Sequence, residues 1–236
     1  MAASLLARLA EEPGRAAILL DVDGTLAPIV TAPEQASVPA ETKAELERLA
    51  ARYALVACIS GRIGEDAKRL VGVEGVTYVG LHGLELDPEA ERYRDPIHSF
   101  AETVGWPIED KGLAVSFHYR GVDDEEAARA QLERTADQAR KAGFRARFGR
   151  KVLEILPPID ANKGTAVRHL LERAGLKRAL YAGDDRTDLD AFRALNELEL
   201  GVRVAVASDE GPPELREAAD LVVDGLAGLL RVLRGL

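Results

Sequence analysis

The sequence predicts an α/β protein, a parallel sheet with helices on both faces, interrupted by an inserted α+β unit. Three observations carry this. Short apolar runs alternate with amphipathic helical stretches near both ends of the chain, which is the pattern of β-α-β units. Several of those runs end in charged or hydroxyl residues, at the strand ends where open parallel sheets bind ligands. Between the two alternating regions lies a stretch in which strands follow one another directly, as in an antiparallel sheet beside helices.

The first apolar run, Ala16–Leu20, is short and continuous, as expected of a strand covered on both faces. Before it, MAASLLARLAEEPGR reads as a short amphipathic helix ending near Pro13-Gly14. Pro39–Arg52 has the helical spacing of Ala and Leu, with charged residues between them. A strand at Ala54–Ile59 closes on Ser60-Gly61-Arg62, a helix follows at Glu65–Leu70, and a strand at Thr77–Val79 runs into Gly80-Leu81-His82-Gly83. The alternation returns with helix Gly164–Ala174, strand Ala179–Ala182, helix Thr187–Leu195 and strand Val202–Val206. Helix Pro213–Ala218, strand Leu221–Val223 and helix Leu226–Arg234 complete it, with Gly235 as a helix stop. In the middle, the expected elements are a helix near Ile97–Val104, an alternating strand Leu113–Tyr119, a charged helix Asp123–Ala142, and strands Phe144–Phe148 and Lys151–Leu156. Hinges are expected near Asp87-Pro88 and Pro157-Pro158. The expected division is therefore residues 1–84 with 159–236, and 85–158 as the insertion.

Composition excludes several function classes. With 236 residues and 47% hydrophobic content, the chain can bury a large core. A net charge of −9 argues against a nucleic-acid partner, whose footprint is basic. No apolar segment has the length of a membrane span, and the first residues carry acids and lack a signal-peptide core. The single cysteine, Cys58, lies in an apolar run and reads as core. It permits no internal disulfide, so the expectation is a cytoplasmic protein. The chain is expected to act as a monomer.

The chemistry gathers at four strand or helix ends. Asp21 and Asp23 stand one residue apart in DVDGT, where the first strand leaves the sheet. Two carboxylates so close require a cation, a shared proton or donors. Ser60 follows the second strand, Lys163 opens a helix, and GDDRTD brings Asp184, Asp185 and Asp188. Taken singly, each has an ordinary explanation: Asp21–Asp23 as an Asx turn, Ser60 as a helix cap, Lys163 as a solvated lysine. Converging on one edge, they form a site for a divalent cation and a phosphate. Mg²⁺ prefers carboxylate oxygens, offered by Asp21, Asp184, Asp185 and Asp188, with a backbone carbonyl near Asp23. Asp21 can attack phosphorus as a nucleophile while Asp23 serves as general acid and then base. Ser60 donates to a phosphate oxygen, and Lys163 offsets its charge.

This constellation resembles the haloacid dehalogenase superfamily, whose four motifs match DVDGT, Ser60, Lys163 and GDDRTD. The resemblance implies a Rossmann-like parallel-sheet core of the haloacid dehalogenase type, with the insertion as a cap domain that excludes water from the site. The sequence is further similar to the trehalose-6-phosphate phosphatases in DVDGTLAPI, ISGR, GLHGLE, EDKGLAVSFHYR and GDDRTDLDAF. That similarity implies Mg²⁺-dependent hydrolysis of a small sugar phosphate, trehalose-6-phosphate, to trehalose and phosphate through an aspartyl-phosphate. It also implies that Lys111, Arg120, Arg150 and Glu154 of the cap hold the sugar, with Gly61, Arg62 and His82 as further substrate-binding positions. One departure stands out: where the family pattern E-[IL]-[RK]-P has a basic residue, this chain has Leu156. A phosphatase of another osmolyte phosphate and a phosphomannomutase-like phosphotransferase stay open. A non-catalytic receiver switch is disfavoured, because an acid/base at Asp23 would hydrolyse the phosphoaspartate such a switch must keep.

Overall fold

Ala17–Leu20 is buried at all four positions, as befits a strand whose faces and edges are all covered. The computed structural model of the chain describes residues 2–30, 35–149, 151–208 and 211–236. In chain order the elements are α1 (Ala2–Glu11), β1 (Ala17–Leu20), α2 (Ala40–Arg52), β2 (Leu55–Ile59), α3 (Gly64–Val71) and β3 (Thr77–Val79). Next come α4 (Arg94–Glu102), β4 (Glu109–Asp110), β5 (Val115–His118), α5 (Glu125–Lys141), β6 (Arg145–Gly149) and β7 (Val152–Leu156). The chain closes with α6 (Lys163–Ala174), β8 (Arg178–Gly183), α7 (Asp188–Ala194), β9 (Leu200–Ala207), α8 (Pro213–Ala218), β10 (Leu221–Asp224) and α9 (Gly225–Arg234). Contacts divide these into two units, Met1–Leu86 with Ala161–Leu236, and Asp87–Asp160.

The first unit holds a six-stranded sheet in the order β10-β9-β8-β1-β2-β3, with every neighbouring pair parallel. Alternation along β1 sorts its side chains to two cores. Ile18 and Leu20 join Leu46 and Leu49 of α2 and Leu229 and Leu233 of α9. Ala17 and Leu19 join Val167 and Leu171 of α6 and Phe192 of α7. The result is a helix–sheet–helix sandwich. Its order is the doubly wound one: the chain starts at the centre, builds outward through β2 and β3, then returns to build the other side from β8. The reversal lies between β1 and β8, and the carboxyl ends of the strands flanking such a reversal form a ligand crevice.

The second unit is a four-stranded antiparallel sheet, β4-β5-β7-β6. One face packs Val115, Phe117, Leu153 and Ile155 against Ile97 and Ala101 of α4 and Leu132, Ala136 and Ala139 of α5. The opposite face carries Ser116, His118, Val152, Glu154 and Leu156, by strand alternation.

Several elements differ from expectation in their bounds, and three of the differences have a local cause. β4 is two charged, exposed residues, too short for any periodic signal. α4 begins at Arg94 rather than Ile97, with Pro96 in its first turn, where a missing N–H does no harm. α5 begins only at Glu125, because the Asp124 side chain accepts from the Ala127 N–H and caps the helix there. Gly235 follows α9 as expected, in a right-handed rather than left-handed conformation. Among the described residues, no helix is long and apolar enough to cross a membrane.

α6 starts with a reciprocal cap. Asn162 Oδ1 accepts from Thr165 N at 3.0 Å, and Thr165 Oγ1 accepts from Asn162 N at 3.0 Å. Asn162→Ala should cost about 1 kcal/mol in urea unfolding and Asn162→Asp much less, since the acid keeps the acceptor. Equal losses would show that the cap is not what holds this helix start.

Candidate active site

Asp21 leaves β1 as Asp184 leaves β8, on neighbouring strands, and the turn between Asp21 and Ala27 folds back beside them. Leu26 N and Ala27 N both donate to Val22 O, and Gly24 N donates to Ala27 O at 2.7 Å. Gly24 has φ +83, and a Cβ there would fall 2.0 Å from Asp184 Oδ2. Only glycine suits this position, in conformation and in space. Thr25 Oγ1 then donates to Asp184 Oδ1 at 3.2 Å.

Lys163, the first residue of α6, is the centre of charge. Its Nζ lies 2.8 Å from Asp21 Oδ1 and 2.7 Å from Asp188 Oδ1, with the lysine side chain only 2% exposed. Burial works against its charge, yet Asp188 and Asp21 more than offset that and hold the ammonium well above the ordinary lysine range. Asp188 is saturated with donors. Tyr181 OH donates to its Oδ1 at 2.6 Å beside Lys163, while Asp184 N and Asp185 N donate to its Oδ2 at 3.0 and 2.9 Å.

Asp21, Asp184 and Asp188 each offer a carboxylate oxygen within 4.8 Å of the others. One ammonium facing three buried carboxylates leaves an excess of negative charge. Burial raises Asp21 well above the ordinary range, with Asp188 and Asp184 adding to it against Lys163. Burial and the neighbouring Asp188 likewise push Asp184 up to about 6. This donor set fits a hard divalent cation. Because Asp188 already accepts four hydrogen bonds, the carboxylates with capacity to spare are Asp21 and Asp184.

The other expected residues fall nearby in the same unit. Asp185 is exposed and stands outside the three-carboxylate cluster. Asp23 also stands outside it, and its two oxygens accept from Arg62 Nε and Nη2 at 2.7 and 2.6 Å. Ser60 is fully buried, and its Oγ accepts from Arg62 N at 3.1 Å, which leaves its own hydrogen to donate. A Cβ on Gly61 would lie 2.8 Å from His82 Nε2, so the imidazole rests on a bare backbone.

A family model described as trehalose-phosphatase matches residues 19–104 and 97–225. The chain belongs to the trehalose-phosphatase family. A probable trehalose-phosphate phosphatase G of Arabidopsis thaliana is 32% identical over 234 residues, covering 81% of this chain and 62% of its own length. A trehalose-phosphate phosphatase of Mycobacterium marinum is 34% identical over 222 residues, covering 83% of this chain and 55% of that one. The chain thus spans about three-fifths of the length of the first curated relatives it matches. Among solved structures, a trehalose-6-phosphate phosphatase related protein aligns with a TM-score of 0.74 at 25% identity, covering 92% of this chain and 95% of that one. A haloacid dehalogenase-like hydrolase from Bacteroides thetaiotaomicron shares the fold at a TM-score of 0.65 and 15% identity, covering 93% and 98%.

Among the family positions of the second unit, Lys111 and Glu154 come together, with Lys111 Nζ 3.1 Å from Glu154 Oε1. Arg120 is exposed, beyond the end of β5, where its charge acts on Glu125. Arg150 lies outside the described residues. Arg147, which sequence reasoning missed, faces Glu154 in register across β6 and β7. Its Nε and Nη2 lie 3.0 and 2.6 Å from Glu154 Oε2. The signal was present in RARF (residues 145–148), whose alternation puts Arg145 and Arg147 on one face. Leu153 and Ile155 are buried while Val152, Glu154 and Leu156 are half-buried. Leu156 therefore shares Glu154's face, as alternation predicts.

Burial alone would raise Glu154, but Lys111 and Arg147 outweigh it and hold the carboxyl down to about 2. A depressed carboxylate stabilises the fold above its unfolded pKa, and that contribution disappears as pH falls through the folded value. Glu154→Gln should thus lower stability at neutral pH by up to roughly 3 kcal/mol. The gap between the two urea midpoints should narrow as pH falls from 4.5 toward about 2. A gap independent of pH would rule out this ion pair as its source.

Proposed function

We propose that the chain is a divalent-cation-dependent phosphatase that hydrolyses trehalose-6-phosphate to trehalose and phosphate through an aspartyl-phosphate on Asp21. The observation that carries this reading is the Asp21 carboxylate, held by Lys163 at 2.8 Å beside Asp184, in a chain of the trehalose-phosphatase family. Asp21 and Asp184 would hold a hard divalent cation such as Mg²⁺, whose charge offsets that of the phosphate.

In the first step an Asp21 oxygen forms a bond to phosphorus and the bond from phosphorus to the sugar oxygen breaks. That oxygen leaves with a proton from Asp23. In the second step Asp23, now a carboxylate, takes a proton from water as the water oxygen attacks phosphorus, and Asp21 is released. Ser60 donates to a phosphate oxygen, and Lys163 aims Asp21 and, with the cation's charge, favours its ionised form against burial. Arg62 engages both oxygens of Asp23, so Asp23 becomes available when Arg62 turns to the phosphate instead. Asp188, saturated by four donors, orients Lys163 and the Asp184–Asp185 backbone rather than meeting substrate.

The sugar is read by the polar face of the cap. Lys111 and Arg147 supply donors and Glu154 an acceptor, with charge-assisted hydrogen bonds suited to hydroxyls. Arg147 supplies a cation on the face where Leu156 has none. The half-buried Leu156 supports a second reading, a phosphatase that accepts smaller sugar phosphates as readily.

A phosphate-release assay with trehalose-6-phosphate and glucose-6-phosphate tests both readings. Release should need Mg²⁺ and stop on chelation, and kcat/KM should favour trehalose-6-phosphate. Preference for glucose-6-phosphate would reject the first substrate while keeping the chemistry. Asp21→Asn should abolish turnover, because an amide is a far poorer nucleophile than a carboxylate. Wild-type rates in that variant, or full activity without a metal, would reject the mechanism.

Arg147→Ala should lower kcat/KM for trehalose-6-phosphate roughly ten- to hundred-fold, the effect of losing a hydrogen bond to a charged group. Hydrolysis of a small aryl phosphate should change little. Equal losses on both would assign Arg147 to the cap's folding.

A further inference from the structure

The turn Leu81–Leu86 carries most of the motif GLHGLE (residues 80–85), whose glutamate has no role in the mechanism above. The turn is strained: Leu81, His82 and Gly83 have φ of +49, +55 and +103. Two consecutive non-glycine residues in the left-handed region persist only where their surroundings impose it.

Those surroundings are specific. Leu81 N donates to Arg62 O and His82 N to Ser60 O, each at 2.8 Å, so the turn is strapped onto the loop that holds Ser60 and Arg62. Glu85 closes the arrangement from the other end. Its Oε1 accepts from Gly64 N and its Oε2 from Gly80 N, each at 2.8 Å. Gly64 opens α3, and Ile63 before it provides no side-chain cap. Glu85 supplies that cap from a separate segment and sets a negative charge at the positive end of the helix. The fit leaves no room, for a Cβ on Gly80 would fall 2.2 Å from Gly64 N and 2.4 Å from Glu85 Oε1.

We propose that Glu85 is a positioning residue that pins the Leu81–Leu86 turn to the Ser60–Gly64 loop, and so fixes Ser60, Arg62 and His82 for the substrate's phosphate. This rests on the phosphatase reading. The chemistry suits a carboxylate, which offers two acceptor oxygens to two N–H groups and brings no donor. A glutamine keeps one acceptor and turns an NH₂ group against the other N–H.

The test compares Glu85→Gln and Glu85→Asp with the wild type by KM for trehalose-6-phosphate, inhibition by inorganic phosphate, kcat, and hydrogen exchange of the Gly64 and Gly80 amides. In Glu85→Gln, KM and the phosphate inhibition constant should rise together by about tenfold. Here kcat should stay within about threefold, and the two amides should exchange about tenfold faster or more. Glu85→Asp, too short to reach both N–H groups, should shift the same way and serves if the glutamine variant fails to fold. Unchanged KM and phosphate inhibition despite faster exchange would overturn the inference, as would a fall in kcat at constant KM. If the wild type releases no phosphate, the phosphatase reading fails, and calorimetric titration with inorganic phosphate then decides Glu85 separately. A tenfold weaker affinity in the variant supports the pin; equal affinity overturns it.

Discussion

The whole site depends on one buried ammonium. Lys163 sits between Asp21 and Asp188 at 2.8 and 2.7 Å with almost no exposure, and each partner would be untenable there without it. Three elements must meet to make this contact: the end of β1, the start of α6 and the start of α7. The reciprocal cap at Asn162 fixes the first turn of α6 and so the direction of Lys163. Asp188 takes four donors and converts one side chain into the anchor of both the lysine and the Asp184–Asp185 backbone. Even so, one positive charge does not balance three carboxylates. Burial and that imbalance together push Asp184 up to about 6, and the site suits a cation that brings more charge.

The cap sheet solves the opposite problem. Glu154 is a single acid between two cations, Lys111 and Arg147, and it is strongly ionised. Its face of the sheet is polar because the apolar residues of β5 and β7 alternate away toward α4 and α5. One carboxylate that is over-compensated and a cluster that is under-compensated follow from the same rule: burial makes each charge answer to its immediate partners.

Periodicity made the elements legible. The alternation of apolar runs and amphipathic helices gave the strand Thr77–Val79 and the helix Pro213–Ala218 to the residue, with Gly80 ending the one and Pro212 preceding the other. It missed β4, since Glu109-Asp110 pairs through its backbone and has no apolar member. The acids of DVDGT and GDDRTD and the lysine at 163 could be read together only because parallel strands deliver their ends to one edge. Sequence could not reveal how donors are shared. Nothing in GDDRTD says that Asp188 spends both oxygens on neighbours, or that Arg62 binds Asp23. Arg147 was hidden for a related reason, because its partner Glu154 is seven residues away across a strand pairing. Such partnerships come from register and rotamer, which the pattern of residue types does not encode.

The sheet order also dictates when the site can exist during synthesis. The centre strand β1 emerges early, but its neighbour β8 follows the entire insertion, so Thr25 and Asp184 meet across 159 positions. Until the ribosome has released Gly183, β1 has an open edge on one side and its acids lack Asp184 and Asp188. The antiparallel unit, whose pairings all lie within Glu109–Leu156, has by then left the exit tunnel with its own core in hand. The pairing of β8 with β1 is therefore the long-range contact on which the acids' partners depend.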